Sequence, residues 1–83
     1  MEKEFIDVLN DAEKKYDAKR VIYADTWKVL SLDSLSTRLN GEVAELNEHS
    51  PEFIGKRAYE ESLDVVNVAL MLASRIKKAG GFK

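Results

Sequence analysis

Glu42 and Glu45 stand three residues apart, and so do Glu61 and Asp64. On a helix, side chains at that spacing project from neighbouring points of one face, one turn apart. Two such pairs on facing antiparallel helices can aim four carboxylates into one cleft. Carboxylates gathered and partly desolvated in this way cannot all stay ionised without cations. Oxygen-only donors at this charge density suit a hard divalent ion, Mg2+ or Mn2+ first and Ca2+ after them. The bland alternative is a set of ordinary surface acids, because i,i+3 pairs arise by chance in a chain with 15 Asp and Glu. The neighbouring residues favour the site. Glu42 projects about 20° from Leu35, at the shoulder of an apolar arc, and Val68 and Met71 project between and beside Glu61 and Asp64.

Positioning those acids requires two facing helices, and helix formers dominate the chain. Phe5, Val8, Leu9, Ala12 and Tyr16 recur at helical spacing, which predicts a first helix over about Lys3 to Tyr16. The stretch from Asp17 to Thr26 reads less regularly, and Val21-Ile22-Tyr23 is too short a run to classify. Trp27 to Leu32 reads as a short helical turn or the entry to the next helix. Asp33 or Ser34 can cap a second helix running to about Glu48, with Leu35, Leu39, Val43 and Leu46 on one narrow face. Gly41 lies inside it, either admitting another backbone closely or merely tolerated. Ser50-Pro51-Glu52 has the composition of a helix start. Gly55 can split that start from a long helix over about Lys56 to Ala79, which Gly80-Gly81 would stop while Lys77 and Lys78 suit its negative end. The expected architecture is one all-α domain over residues 1–83, a small antiparallel bundle of about three to four helices.

Composition bounds the alternatives. There are no cysteines, so neither disulfides nor thiolate metal sites support this short chain, and metal or self-association remain. A formal charge of −2 lacks the basic footprint of a nucleic-acid binder. No apolar run approaches the length of a membrane span, and Met1-Glu2-Lys3-Glu4 is polar rather than signal-like, so the expectation is a cytoplasmic protein. Val65 to Ala73 is apolar nearly all round. Such a helix must be covered on every side, and two short partner helices can hardly do it. A homodimer or higher oligomer is therefore expected, against the simpler picture of a three-helix monomer built around this helix.

Further residues suit a phosphorylated ligand. Arg38 lies four residues before Glu42 and either pairs with it or meets a phosphate. Arg57 and Arg75 project near the Glu61 and Asp64 face, each as an ion pair or a phosphate clamp. Lys19, Arg20 and Lys28 are further cations with no assigned place. Asn67 follows Asp64 by three residues in an apolar run, where it either reads a base, holds a carboxylate or bonds between helices. Trp27 and Tyr23 are either stacking platforms or core aromatics. His49, at a helix end before Pro51, reads as a surface residue, and without a Glu-x-x-His motif a di-iron bundle is not indicated.

The segment Glu42-Val43-Ala44-Glu45-Leu46, followed by Glu60-Glu61-Ser62-Leu63-Asp64 and the apolar run through Ala73, resembles the signature of MazG-like proteins. These belong to the all-α nucleoside triphosphate pyrophosphohydrolases, with the dimeric dUTPases and phosphoribosyl-ATP pyrophosphohydrolases. The resemblance covers residues from about Arg38 to Ile76. It implies that Glu42, Glu45, Glu61 and Asp64 bind Mg2+, with Mn2+ as a substitute, and that the metal holds a nucleoside triphosphate. It implies attack by water at the α-phosphorus, yielding a monophosphate and pyrophosphate, as in nucleotide-pool house-cleaning. Arg38, Asn67, Trp27 and Arg57 become candidate substrate contacts. The chain departs from the pattern at Gly41, where many members carry a second acid, and it ends at Lys83, where relatives often continue with another helix. Those departures imply either a partner subunit that completes the site or a weakly active or inactive helical oligomer that binds a nucleotide or protein partner.

Overall fold

The computed structural model describes residues 1–23 and 25–80, without the side chains of residues 21–23. Three α-helices carry the chain: α1 (Lys3–Tyr23), α2 (Leu32–His49) and α3 (Gly55–Lys78). A single 3-10 turn at Thr26–Val29 joins the first two, and the described residues contain no strand. No helix among them is long and apolar enough to cross a membrane.

α1 runs a further seven residues past the expected Tyr16. Residues 17–20 bury no face, so periodicity gives no signal there. Ala18, Lys19 and Arg20 nevertheless favour helix intrinsically, and no Gly or Pro interrupts them. α2 also starts earlier than expected. Its N-cap is Ser31, whose hydroxyl accepts from the Ser34 N–H at 3.0 Å, so Asp33 becomes a first-turn acid at the positive helix end.

Ser50-Pro51-Glu52 does not begin a helix. The Ser50 N–H instead closes α2 on the Leu46 carbonyl, and Pro51 and Glu52 form a turn. Phe53 adopts φ 55° and Gly55 φ 93°, left-handed values that no continuing α-helix accommodates. Helix entry therefore waits until Gly55. At the other end Gly80, at φ 73°, terminates α3 as expected, while Gly81 lies outside the described residues.

α2 and α3 form an antiparallel hairpin. His49 meets Glu61 near its closed end, while Arg75 reaches Trp27 and Leu30 near its open end. α1 crosses α3 around Tyr59 to Asn67, through Asp11–Tyr59 and Ala12–Asn67 hydrogen bonds. α3 is thus the central element. Ala12, Leu35, Ala58, Leu63 and Val68 form the buried core, with Leu35 fully enclosed. Leu70 and Ile76 remain 47% and 41% exposed on α3, and Phe5 61% exposed on α1. Within the run Val65 to Ala73 only Leu70 and Ala73 are exposed, so α1 and α2 cover most of its apolar character within a single chain and leave part of it open. Gly41 faces open space, so it is tolerated and admits no neighbouring backbone.

Candidate functional site

The antiparallel return of α3 over α2 brings Glu42 and Asp64 to one cavity of about 210 Å3. Around them stand Lys19, Arg20 and Arg38, with Tyr16, Trp27 and Asn67 on the remaining wall. Lys19 donates to Asp64 Oδ1 at 2.9 Å, and Lys15 Nζ lies 3.1 Å from the same oxygen. Glu42 is half-buried. Burial pushes its carboxyl above the ordinary range, with the charges of Asp64 and then Glu45 adding to the effect and Lys19 and Arg38 opposing it. The shift is mainly the cost of desolvating the carboxylate, a cost that a cation bound directly to it would offset.

Glu61 faces another set of partners. Arg57 Nε donates to its Oε1 at 2.9 Å, and His49 Nδ1 lies 3.5 Å from the same atom. Its second oxygen is buried without a hydrogen-bond partner among the described residues. Glu45 is exposed on α2 and acts on Glu42 electrostatically. The structure thus joins Glu42 with Asp64, and sets Glu61 against Arg57 and His49. Among the described residues, no three of the His, Asp and Glu side chains converge closely enough to hold a metal ion.

Of the candidate substrate contacts, Arg38, Asn67 and Trp27 line the cavity, and Arg57 does not, because it is committed to Glu61. Arg75 forms no ion pair among the described residues. Its Nη1 donates to the backbone carbonyls of Trp27 and Leu30, binding the 3-10 turn to α3. Asn67 makes the interhelical bond: Nδ2 donates to the Ala12 carbonyl at 3.0 Å. The Tyr23 side chain lies outside the described residues.

Trp27 is fixed from two directions. Arg75 holds its carbonyl, and its indole Nε1–H donates to Tyr16 Oη at 2.9 Å. The Tyr16 hydroxyl donates in turn to Asp25 Oδ1 at 3.0 Å, while Arg20 and Lys28 each approach Asp25 at 3.2 Å. The Tyr16 hydrogen bond, with support from the two cations, holds the Asp25 carboxyl below its ordinary range. Sequence reasoning left Lys19 and Arg20 unplaced and assigned Tyr16 only to the first helix. Their signal was their spacing, since 16, 19 and 20 share one face once α1 extends past Tyr16.

A second cavity of about 450 Å3 adjoins the first and shares Tyr16, Trp27, Asn67 and Met71 with it. Leu9, Leu70 and Met71 give it an apolar lining, and Glu13 stands at its edge. One compartment is therefore charged and the other apolar, with Trp27 common to both. Comparison of the chain with protein-family models, curated proteins and solved structures finds no match.

Proposed function

We propose that this protein is a Mg2+-dependent nucleoside triphosphate pyrophosphohydrolase of MazG-like type, working as a homo-oligomer of two or four chains. The observation that supports this most directly is the meeting of Glu42 and Asp64, one from each acidic motif, in a cavity that also holds Lys19, Arg20, Arg38 and Trp27. Acids for a cation, cations for phosphates and an aromatic face for a base are the groups a metal-bound nucleotide requires.

The donor chemistry fits Mg2+ or Mn2+. Glu42 is raised in pKa chiefly by burial, with the charges of Asp64 and Glu45 adding to it, and Glu61 keeps one buried oxygen unpaired among the described residues. Glu42, Glu45, Glu61 and Asp64 would hold the ion, with Glu61 and Asp64 released from their Arg and Lys partners and a second subunit bringing the two groups together. A bound divalent ion neutralises phosphate oxygens and makes a bound water more acidic. Lys19, Arg20 and Arg38 orient the triphosphate, and Trp27 packs against the base. A carboxylate of the set takes the proton from the attacking water. The new P–O bond forms at the α-phosphorus, the bond to the bridging oxygen breaks, and pyrophosphate leaves with that oxygen.

The test is incubation of the full chain with canonical and modified (d)NTPs and Mg2+ or Mn2+, measuring pyrophosphate. Release from at least one substrate, lost in Glu45→Gln with helix content unchanged, is the expected result. Activity surviving in that variant overturns the ligand assignment. No release from any substrate overturns the catalytic reading.

A second reading, a nucleotide- or partner-binding oligomer without turnover, draws on the lysines at Asp64, Arg57 at Glu61, and Gly41 in place of an acid. Calorimetric titration with Mg2+ and a non-hydrolysable triphosphate separates the two, because binding without pyrophosphate release favours this reading.

A further inference from the structure

We infer that the apolar cavity beside Trp27 selects nucleobases carrying an exocyclic amino group, with Glu13 and Asn67 as the residues that read it. The inference rests on the proposed nucleotide site and names its substrate class.

The two cavities meet along Trp27 and Asn67. The charged one suits a triphosphate, so a bound nucleotide extends its base into the apolar one, where Leu70, Met71 and the indole offer the dry faces a planar ring needs. Specificity then depends on which hydrogen-bonding groups the protein still has free. The indole N–H is spent on Tyr16, and the Tyr16 proton is spent on Asp25.

The orientation of the Asn67 amide is fixed by its partner. A backbone carbonyl can only accept, so the group bonded to the Ala12 oxygen must be the nitrogen. The Asn67 oxygen is left as an acceptor, and it accepts no hydrogen bond among the described residues. Glu13, at the cavity edge, is an acceptor as well when ionised. Ser74 can serve in either sense and does not discriminate. The cavity therefore presents acceptors to the base edge. An amino group at C4 of a pyrimidine or C6 of a purine satisfies them. A carbonyl at the same position places oxygen against oxygen and leaves a desolvated acceptor unpaired.

The experiment uses the full chain with Mg2+ and the α,β-imido analogues of CTP and UTP, titrated calorimetrically, with turnover of CTP and UTP, and of ATP and ITP, measured beside it. The amino base is expected to bind and react about tenfold better or more, the scale of one hydrogen bond to a charged group. Glu13→Gln, an exposed substitution that supplies a donor, is expected to narrow the ratio to about threefold or less. Equal binding of both analogues by the unmodified chain overturns the inference and leaves the pyrophosphohydrolase reading standing. A preference unchanged by Glu13→Gln also overturns it. If no analogue binds and no triphosphate is cleaved, the parent reading falls with it.

Discussion

Lys19 Nζ sits 2.9 Å from Asp64 Oδ1, so a cation from α1 neutralises an acid from α3 at the edge of the charged cavity. Lys19 is half-exposed, and pairs of that kind are worth about 0.2–1 kcal/mol. To reach Asp64 a divalent ion must displace Lys15, 3.1 Å from the same oxygen, as well as this amine. Removing it with Lys19→Ala should therefore raise the affinity for Mn2+ alone by up to about fivefold, which is that energy expressed as a ratio. Nucleotide affinity should fall in the same variant, since Lys19 also faces the phosphates. Calorimetry with Mn2+ in the absence of nucleotide, on Lys19→Ala and on the Lys15→Ala/Lys19→Ala double variant, decides the point, and unchanged or weaker ion binding in both would show that Asp64 is not a ligand.

Glu42 gives the fold a pH dependence with a definite sign. Its carboxyl is raised above the usual 4.5, burial being the largest cause. The folded state therefore binds more protons than the unfolded state between those two values, and stability falls as pH rises through that window. Above the folded value the penalty is complete. Glu42→Gln should then raise the melting temperature clearly at pH 7 and little at pH 4. Saturating Mg2+ should narrow the gap at pH 7. Thermal melts at the two pH values measure it, and a larger gain at pH 4 would contradict the assigned cause.

The helices were legible in the sequence wherever burial imposed a period. Leu35 marks α2, and Leu63 and Val68 mark α3, because each meets the core. Residues 17–20 of α1 meet solvent and leave no such trace, so Lys19 and Arg20 could not be placed. The break before α3 was legible at Gly55, whose φ of 93° suits glycine, but the left-handed turn at Phe53 was not, because a phenylalanine gives no compositional cue for it. Spacing correctly put Glu42 and Glu45 on one helix and Glu61 and Asp64 on the next. It could not specify which acid would meet which cation, because Lys15 and Lys19 lie 45 residues or more from Glu60 and Asp64 and arrive only through the crossing of α1.

Arg75 and Trp27 provide a direct test of how the cavity wall is held. The guanidinium donates to two carbonyls of the segment carrying Trp27, and hydrogen bonds from charged groups are worth about 1.5–3 kcal/mol. Arg75→Ala should lower stability by about that amount. It should also red-shift and expose the emission of Trp27, which is the only tryptophan of the chain. Arg75→Lys, with a compact ammonium in place of the fork, should restore part of both. An emission spectrum and acrylamide quenching unchanged in Arg75→Ala would mean that Tyr16 alone fixes the indole.

Ile76 separates assembly from folding. It is 41% exposed on α3 and lines neither of the two cavities around Trp27. Its side chain is left uncovered by its own chain and away from the nucleobase cavity that Leu70 lines, so a second copy can bury it. A lysine at this position would oppose burial against a partner. It also lies in the last turn of α3, beside Arg75, Lys77 and Lys78, where positive charge complements the helix dipole by about 0.3–1 kcal/mol in an exposed setting. Ile76→Lys should therefore keep its helix content while dissociating to monomer. Sedimentation velocity at micromolar concentration is the measurement, with circular dichroism as the control. If the unmodified chain sediments as a monomer, the exposed face of α3 is not a self-association surface, and the second subunit that the four-carboxylate ion site requires is missing.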